Sequence, residues 1–592
     1  MILYPGKPDD KLRCHLKHIC SLQDHDYDAL SYVWGELSTK HLVECSKMNI
    51  QITANLDSAL RQLRYVDKSR AFWVDAVCIN QGDKAERSRQ VQIMPEIYSN
   101  ATQVLVWLGC GAEGDSRAFS SLQMLKLVVN DLDESWFLIR LGWYRDRNRR
   151  TFSGGASRSM LTDIEYEHMV TLLRREWFRR TWVIQEVACS KYATIHCGDQ
   201  YMPWEMFADI YMRLGDHFLP VSQLGGDEAH QSLENITAIE SARRSHSGPL
   251  SMSLFHILVA TSFSKCKDQR DKIFAVVGLA KNWVEREVVV PNYDTNEEDV
   301  LEAFKDFAVA DSNHHKNLRA LSCASGPSTD ISLPSWVPDW RNIENVHPFT
   351  RYSDRTGFRA SGGMKPEAWH SDNKNILHVI GKQVDSIAVL GSEPVFTKAI
   401  AVFEINMAKI SALKGSLVWL QECETLSRDI NRSSRAERNN QLWRTMTCGL
   451  TSEGFPAPDQ YLTYFNRYMD FMASAPERFK EYFTESQTTV DGIRGLDEDI
   501  PYFTTHAIIE ASLDRWSSRR RVSLTCNGQL ACVPKSSREG DIICILFGGD
   551  VPYVLRPACD GFYTVVGECY VGNIMHGEGL SHNRISREFK LR

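Results

Sequence analysis

Between residues 27 and 200, short apolar runs alternate with segments whose apolar residues recur every three or four positions. That alternation is the pattern of strands joined by amphipathic helices, and it predicts an α/β fold with a doubly wound parallel sheet. Four runs read as strands: 29–34 (ALSYVW), 71–79 (AFWVDAVCI), 103–108 (QVLVWL) and 192–197 (YATIHC), with Gly35, Gly82, Gly109 and Gly198 at or near their ends. Glycine suits a tight exit from a strand. The first connecting helix is expected to start with Asn55 as N-cap and to bury Leu56, Ala59, Leu60 and Leu63. The second, about 83–100, buries Val91, Met94, Ile97 and Tyr98, and Pro95 is expected to kink it. The third connection is far longer, holding the apolar segment 122–132, a basic loop at 140–150 (RLGWYRDRNRR) and a final helix. An insertion of that length is a place for specificity or regulation.

Beyond residue 200 the periodicity changes. Residues 205–320 read as mostly helical, with 266–280 (CKDQRDKIFAVVGLA) the clearest element, and 333–340 (LPSWVPDW) is a Pro/Trp turn that no helix tolerates. A β-like run at 375–391 precedes a polar helical region at 395–490, and 520–575 is β-rich, a small sheet or barrel. Four regions are therefore expected: 1–200 with an insertion near 110–165, a mostly helical 201–345, a mixed and mainly helical 346–515, and a small β-rich 516–592.

One carboxylate stands out against this pattern. A continuous helix through 174–191 (RREWFRRTWVIQEVACSK) places Phe178, Trp182 and Glu186 at i, i+4 and i+8, on one face. Three and four residues either side of Glu186 stand Trp182, Val183, Cys189 and Ser190, so its own helix offers no cation at pairing distance. A carboxylate beside aromatic surface is partly desolvated. Either a ligand or polar network meets it, or a distant arginine does.

Ligands of open α/β sheets sit beyond the carboxyl ends of the strands. Trp34, Gly35 and Glu36 follow the first strand there, while Asp75 lies within the second and Asn80, Gln81, Gly82 and Asp83 follow it. Asp75 reads first as a structural carboxylate that caps a loop or pairs with Arg87, and second as a ligand contact. Asn80 and Gln81 suit a turn equally well.

Composition narrows the function. Lys plus Arg number 68 against 75 Asp plus Glu, a net charge of −7 without acidic or basic blocks, which argues against a general nucleic-acid binder. The first residues lack an apolar signal core and no run of 18 apolar residues occurs, so a cytoplasmic protein without a membrane span is expected. Sixteen cysteines without C-x-x-C pairs fit reduced thiols. The cluster Cys14, His15, His18 and Cys20 has no second ligand pair at zinc-finger spacing, so no metal is expected. Phosphate-cradle glycine motifs and G-x-S-x-G are absent from the sheet region, and Cys78 or Cys189 with His196 lacks a third orienting group for nucleophilic catalysis.

Three segments together resemble the fungal heterokaryon incompatibility (HET) domain: YDALSYVWGE at 27–36, FWVDAVCINQGDKAERSRQVQIMPEIYSNATQVLVWLG at 72–109, and REWFRRTWVIQEV at 175–187. The later segments CKDQRDKIFAVVGL, LPSWVPDW and GDIICILFGGDVPYVLRP through GECYVGNIMHGE resemble downstream regions of long proteins with this domain. The resemblance implies nonself recognition between fungal strains and regulated cell death, acting with an incompatibility partner protein and through self-association of the domain. The HET domain is in turn similar to Toll/interleukin-1 receptor (TIR) domains, which implies a TIR-like N-terminal sheet. Trp182-x-x-x-Glu186 matches the Trp-x-x-x-Glu arrangement of plant-type TIR helices, whose glutamate is catalytic in NAD glycohydrolysis. By that likeness Glu186 is the catalytic candidate, Trp34, Gly35, Asp75, Asn80 and Trp182 are candidates for the pocket around it, and NAD is a substrate rather than a resident cofactor.

One carboxylate is enough for such a reaction. Nicotinamide departs as a neutral ring from a cationic pyridinium, so the leaving group needs no acid, unlike the ordinary glycoside that uses two carboxyl groups. A glutamate near the ribose hydroxyls stabilises positive charge that develops only in the transition state, and Trp34 offers a ring for stacking. Two competing expectations remain. One is a non-enzymatic module that self-associates or binds a partner; the other is an inactive relative with Glu186 paired to an arginine.

Overall fold

The computed structural model describes residues 1–35, 41–46, 48–129, 163–216, 219–247, 252–280, 290–293, 301–302, 304–309, 318–324, 333–341, 348–395, 407–428, 434–478, 500–580 and 585–592. Glu36 and the basic stretch 140–150 lie outside these residues. The chain divides into two compact units, Met1–Val300 and Leu301–Arg592.

The first unit is built on a nine-stranded sheet: β1 (Ile2–Leu3), β2 (Arg13–His15), β3 (Asp28–Tyr32), β4 (His41–Cys45), β5 (Met48–Ile52), β6 (Arg70–Trp73), β7 (Gln103–Trp107), β8 (Ala193–Cys197) and β9 (Gln200–Pro203). Their order is β5-β4-β2-β1-β6-β3-β7-β8-β9. The four expected strands form its parallel core, β6-β3-β7-β8. The sheet as a whole is mixed, because β9 and β1 add antiparallel to the two sides of that core. Numbered along the chain, the core strands run second, first, third, fourth, so the connections that follow β3 and β7 lead in opposite directions along the sheet.

Helices cover both faces of the parallel core. Helix α1 (Ala54–Leu63) buries Leu56, Ala59, Leu60 and Leu63 against Leu30, Tyr32, Phe72, Leu105 and Trp107. Its N-cap is Thr53, whose side chain accepts from the Leu56 N–H, and not Asn55. Asn55 instead ties the ends of β3 and β7 together, with its Nδ2 donating to Val33 O at 2.6 Å and its Oδ1 accepting from Trp107 Nε1 at 3.0 Å. Helix α2 (Asp75–Cys78) is a single turn, and α3 (Lys84–Asn100) buries Val91, Met94, Ile97 and Tyr98. It continues as helix through Pro95, which packs on Gly278 so closely that a Cβ there would lie 2.3 Å from Pro95 Cγ. Beyond β7 follow α4 (Asp115–Val129), α5 (Asp163–Leu173), α6 (Trp182–Ala188), α7 (Trp204–Asp216), α8 (Leu219–Ser247), α9 (Leu254–Ala260) and α10 (Asp271–Val277).

Two expected elements are shorter than their apolar runs. The run 71–79 is strand only to Trp73, after which the chain turns into α2. A carboxylate inside a parallel strand would be buried without partners, and the turn carries Asp75 to the strand end, where donors reach it. The helix expected through 174–191 is interrupted as well. Glu176–Arg179 is a 3-10 turn, Arg180 is extended (φ −78°, ψ 142°), and α6 begins only at Trp182.

In the second unit, helices α11 (Met407–Arg428), α12 (Arg435–Met446), α13 (Gln460–Arg478) and α14 (Ile500–Ser517) share a core that includes Trp419, Trp443, Phe465 and Leu513. A second sheet comprises β10 (Ala368–His370), β11 (Leu377–Leu390), β12 (Arg520–Thr525), β13 (Leu530–Pro534), β14 (Ile542–Leu546), β15 (Tyr553–Pro557), β16 (Phe562–Glu568), β17 (Tyr570–Val571) and β18 (Arg587–Leu591). Pairings β11–β14, β14–β15, β15–β16, β16–β18 and β18–β11 close a ring. A closed ring removes the free edges that a β-rich terminus would otherwise expose. Two register shifts, at Gln383/Asp385 and Ile387/Val389, mark where the 14-residue β11 passes from the ring to β12.

Candidate functional site

Glu186 lies on the second turn of α6 and is 6% exposed. Its Oε2 accepts a hydrogen bond from Ser31 Oγ on β3, and that hydroxyl in turn accepts from Trp177 Nε1 at 2.9 Å. Burial pushes the Glu186 carboxyl up to about 7, although the charge of Arg180 and the Ser31 bond pull it down. The nearby negative charge of Asp75 adds to the rise.

Arg180 is the cation that helical spacing could not supply. It precedes Glu186 by six residues, outside α6, and its Nη1 donates to Tyr32 O at the end of β3. Because the chain is extended at Arg180, Phe178 does not share a face with Glu186. Phe178 is fully buried and stacks on Phe207 at 5.3 Å. Only Trp182 and Glu186 keep the i, i+4 relation.

Asp75 is half-buried at the start of α2 and accepts from Trp34 Nε1 at 2.7 Å, from the Tyr32 hydroxyl and from the Ala76 N–H. Burial raises its pKa against the pull of the Trp34 bond and of Arg180. The expected pairing with Arg87 is not made, because the Arg87 guanidinium lies 3.9 Å from the centre of the Tyr293 ring instead. Trp34 is 36% exposed, and Gly35 after it takes φ +75°, a left-handed conformation that favours glycine.

Two candidates stand apart from this cluster. Asn80 is exposed and makes the turn into α3, its Oδ1 accepting from Gly82 N at 3.2 Å while its own N–H donates to Glu86 Oε1. Trp182 Nε1 donates to Asp271 Oδ2 at 3.0 Å, and Asp271 Oδ1 accepts from Tyr293 OH at 2.6 Å. Burial raises Asp271 to about 6 despite both bonds. The structure thus joins Glu186, Asp75, Trp34 and Gly35 around the end of β3, and ties Trp182 to α10.

Sequence reading misses Ser31, Tyr32 and Arg180, and it takes Asn55 for an N-cap where the residue ties β3 to β7. Ser31 has one available signal, as the hydroxyl in the middle of the apolar run ALSYVW. Arg180 and Thr181 stand in a run that reads as helix interior, so the break before α6 leaves no local mark. Among the described residues, no group of three His, Cys, Asp or Glu side chains is arranged to hold a metal, and no helix is long and apolar enough to cross a membrane. Cys14 is buried beside Cys45, whereas His18 and Cys20 are exposed.

Comparison with known proteins agrees with these features. The family described as heterokaryon incompatibility protein (HET) matches residues 27–186, from the residue before β3 to Glu186 itself, and the Het-6 beta-barrel domain matches residues 502–591. The ring in that second region is completed by β11, which lies outside the matched residues. The chain is similar to heterokaryon incompatibility protein 6, OR allele, of Neurospora crassa, with 25% identity over 635 aligned residues covering 93% of this chain and 89% of the relative. No solved structure matches it. Ser31, Trp34, Asp75, Arg180 and Glu186, which meet at the end of β3, thus all lie within the segment that matches the HET family.

Proposed function

We propose that this chain is a cytoplasmic incompatibility protein that triggers regulated cell death in fungi, and that its TIR-like HET domain cleaves nicotinamide from NAD at Glu186. The role in incompatibility rests on the name of the Neurospora crassa relative and on the HET match. The observation that carries the chemistry is the position of Glu186: a buried carboxylate bound by one hydroxyl, beside the strand where the connections of the sheet diverge. Groups in such places are functional-site candidates when burial and a charge partner shift their pKa. Ionised Glu186 accepts hydrogen bonds from the ribose hydroxyls and stabilises the ribosyl cation as neutral nicotinamide departs. Water then adds to that cation and releases a proton, giving ADP-ribose.

The test is nicotinamide release from NAD by the full chain and by Glu186→Gln, across a pH range of about 5.5 to 8.5 that brackets the carboxyl. The expected result is release that rises with pH through about 7, as the Glu186 carboxylate forms, and a loss of at least about a hundredfold in Glu186→Gln. If both proteins are inert while both kill cells on overexpression, the hydrolase reading fails. A second reading has its own support, since Glu186 is covered and one of its oxygens already serves Ser31. On that reading the HET domain self-associates or binds a partner protein without chemistry, and Glu186→Gln still kills.

A further inference from the structure

Arg180 differs from the arginines around it. Arg175 is paired to Asp115 at 2.6 Å, Arg179 to Glu228 at 3.2 Å, Arg243 to Glu205 at 2.5 Å and Arg270 to Asp268 at 2.7 Å. Arg180 makes no ion pair among the described residues, and its one side-chain hydrogen bond goes to the Tyr32 carbonyl. A guanidinium carries five N–H donors in a flat fork, so most of this one's capacity is unused. It is half-buried, and its charge acts on both Asp75 and Glu186.

Its backbone is held in place by a separate segment. Lys265 N–H donates to Arg179 O at 2.5 Å, and Thr181 N–H donates to Lys265 O at 2.9 Å, so Arg180 and Lys265 form a parallel bridge. Thr181 Oγ1 meets Ser264 Oγ at 3.0 Å, and Lys272 Nζ fixes that segment by donating to Ser262 O and Ser264 O at 3.0 and 2.6 Å. These contacts keep Arg180 extended, and its guanidinium reaches the carbonyl end of β3. A solvated surface arginine would need none of this support.

We propose that Arg180 is a phosphate-binding residue of the site, selecting a nucleotide that carries phosphate on the ribose over the unphosphorylated nucleoside. This inference rests on the reading of Glu186 as the group that meets the ribose. In a 5′-nucleotide the phosphate is attached to the same ribose whose hydroxyls a carboxylate would hold, so cation and carboxylate must be neighbours, as Glu186 and Arg180 are through their bonds to the adjacent residues Ser31 and Tyr32 of β3. A guanidinium matches two phosphate oxygens at once, which a lysine does not. The site also needs a cation, because Asp75 and Glu186 would otherwise repel an anionic substrate.

The experiment measures ADP-ribose and adenosine binding to the full chain, to Arg180→Met and to Arg180→Gln, which retains a donor for the Tyr32 carbonyl but no charge. ADP-ribose affinity is expected to fall at least about tenfold in both variants, with adenosine unchanged. In parallel, KM for NAD is expected to rise by a similar factor, a rise that KM for nicotinamide riboside, which lacks phosphate, does not share. Equal ADP-ribose affinity in wild type and Arg180→Gln overturns the inference, as does a wild type that binds no ADP-ribose. Arg180-dependent ADP-ribose binding without any NAD cleavage leaves the inference standing and removes only the hydrolase reading.

Discussion

Two buried glutamates, one in each unit, have the same titration behaviour and opposite surroundings. Burial pushes Glu186 and Glu568 each up to about 7. Glu568, at the end of β16, is 3% exposed and its Oε1 accepts from Arg520 Nη2 at 2.8 Å and from the Phe349 N–H. Arg520 is itself 5% exposed and lies over the Phe349 ring at 4.2 Å, so the pair is locked into packed aromatic surface. Glu186 has a hydroxyl where Glu568 has a guanidinium, and the arginine nearest to it donates to a backbone carbonyl instead. A raised pKa thus marks burial in both units, but only the partners separate a carboxylate that holds the core from one left able to meet something else.

Substitution can break this contrast, and the largest effect is expected at Glu568. Glu568→Ala leaves Arg520 buried without its partner, which costs about 3–5 kcal/mol. Urea unfolding of the full chain should show an earlier loss of the second unit. If the variant is as stable as wild type, the ion pair does not hold the core and the contrast between the two glutamates collapses.

The next effect has the opposite sign. Glu186 ionises near 4.5 when unfolded and near 7 when folded, so the unfolded chain loses its proton first as pH rises. Stability is therefore full below about 4.5, declines as pH climbs toward 7, and stays lower above it, by roughly 3 kcal/mol. Glu186→Gln removes that dependence. It is expected to match wild type near pH 4 and to exceed it by up to roughly 3 kcal/mol at about pH 8, as functional residues replaced by neutral isosteres often do. A loss of stability on the alkaline side would make Glu186 structural, like Glu568.

Ser31→Ala should have the smallest effect of the three. It removes the donor that lowers the Glu186 pKa and leaves Trp177 Nε1 without its acceptor, at a cost of about 1–2 kcal/mol. The pH midpoint of nicotinamide release, where release is found, should move upward. An unchanged midpoint would show that Ser31 does not tune the carboxyl.

How much is legible in the sequence follows from which distances set each feature. The stripe Leu56, Ala59, Leu60 and Leu63 and the strand runs are readable because they depend on neighbours within a turn or two. Asp75 and the 174–191 segment mislead for the complementary reason: an apolar run continues across a change of backbone conformation, so periodicity does not mark where strand becomes turn or where a helix restarts. Trp182 keeps its helical relation to Glu186, yet its indole is claimed by Asp271, 89 residues later.

By itself the sequence determined the parallel core strands, the HET segments and the lack of a cation at helical pairing distance from Glu186. Only the tertiary structure decided what meets that carboxylate. Ser31 is 155 residues away from Glu186, and Arg180 is bound to a carbonyl 148 residues before it. Such partners are set by strand order and by a break in a helix, which no local repeat encodes. The same holds in the second unit, where β11, outside the matched barrel residues, closes the ring.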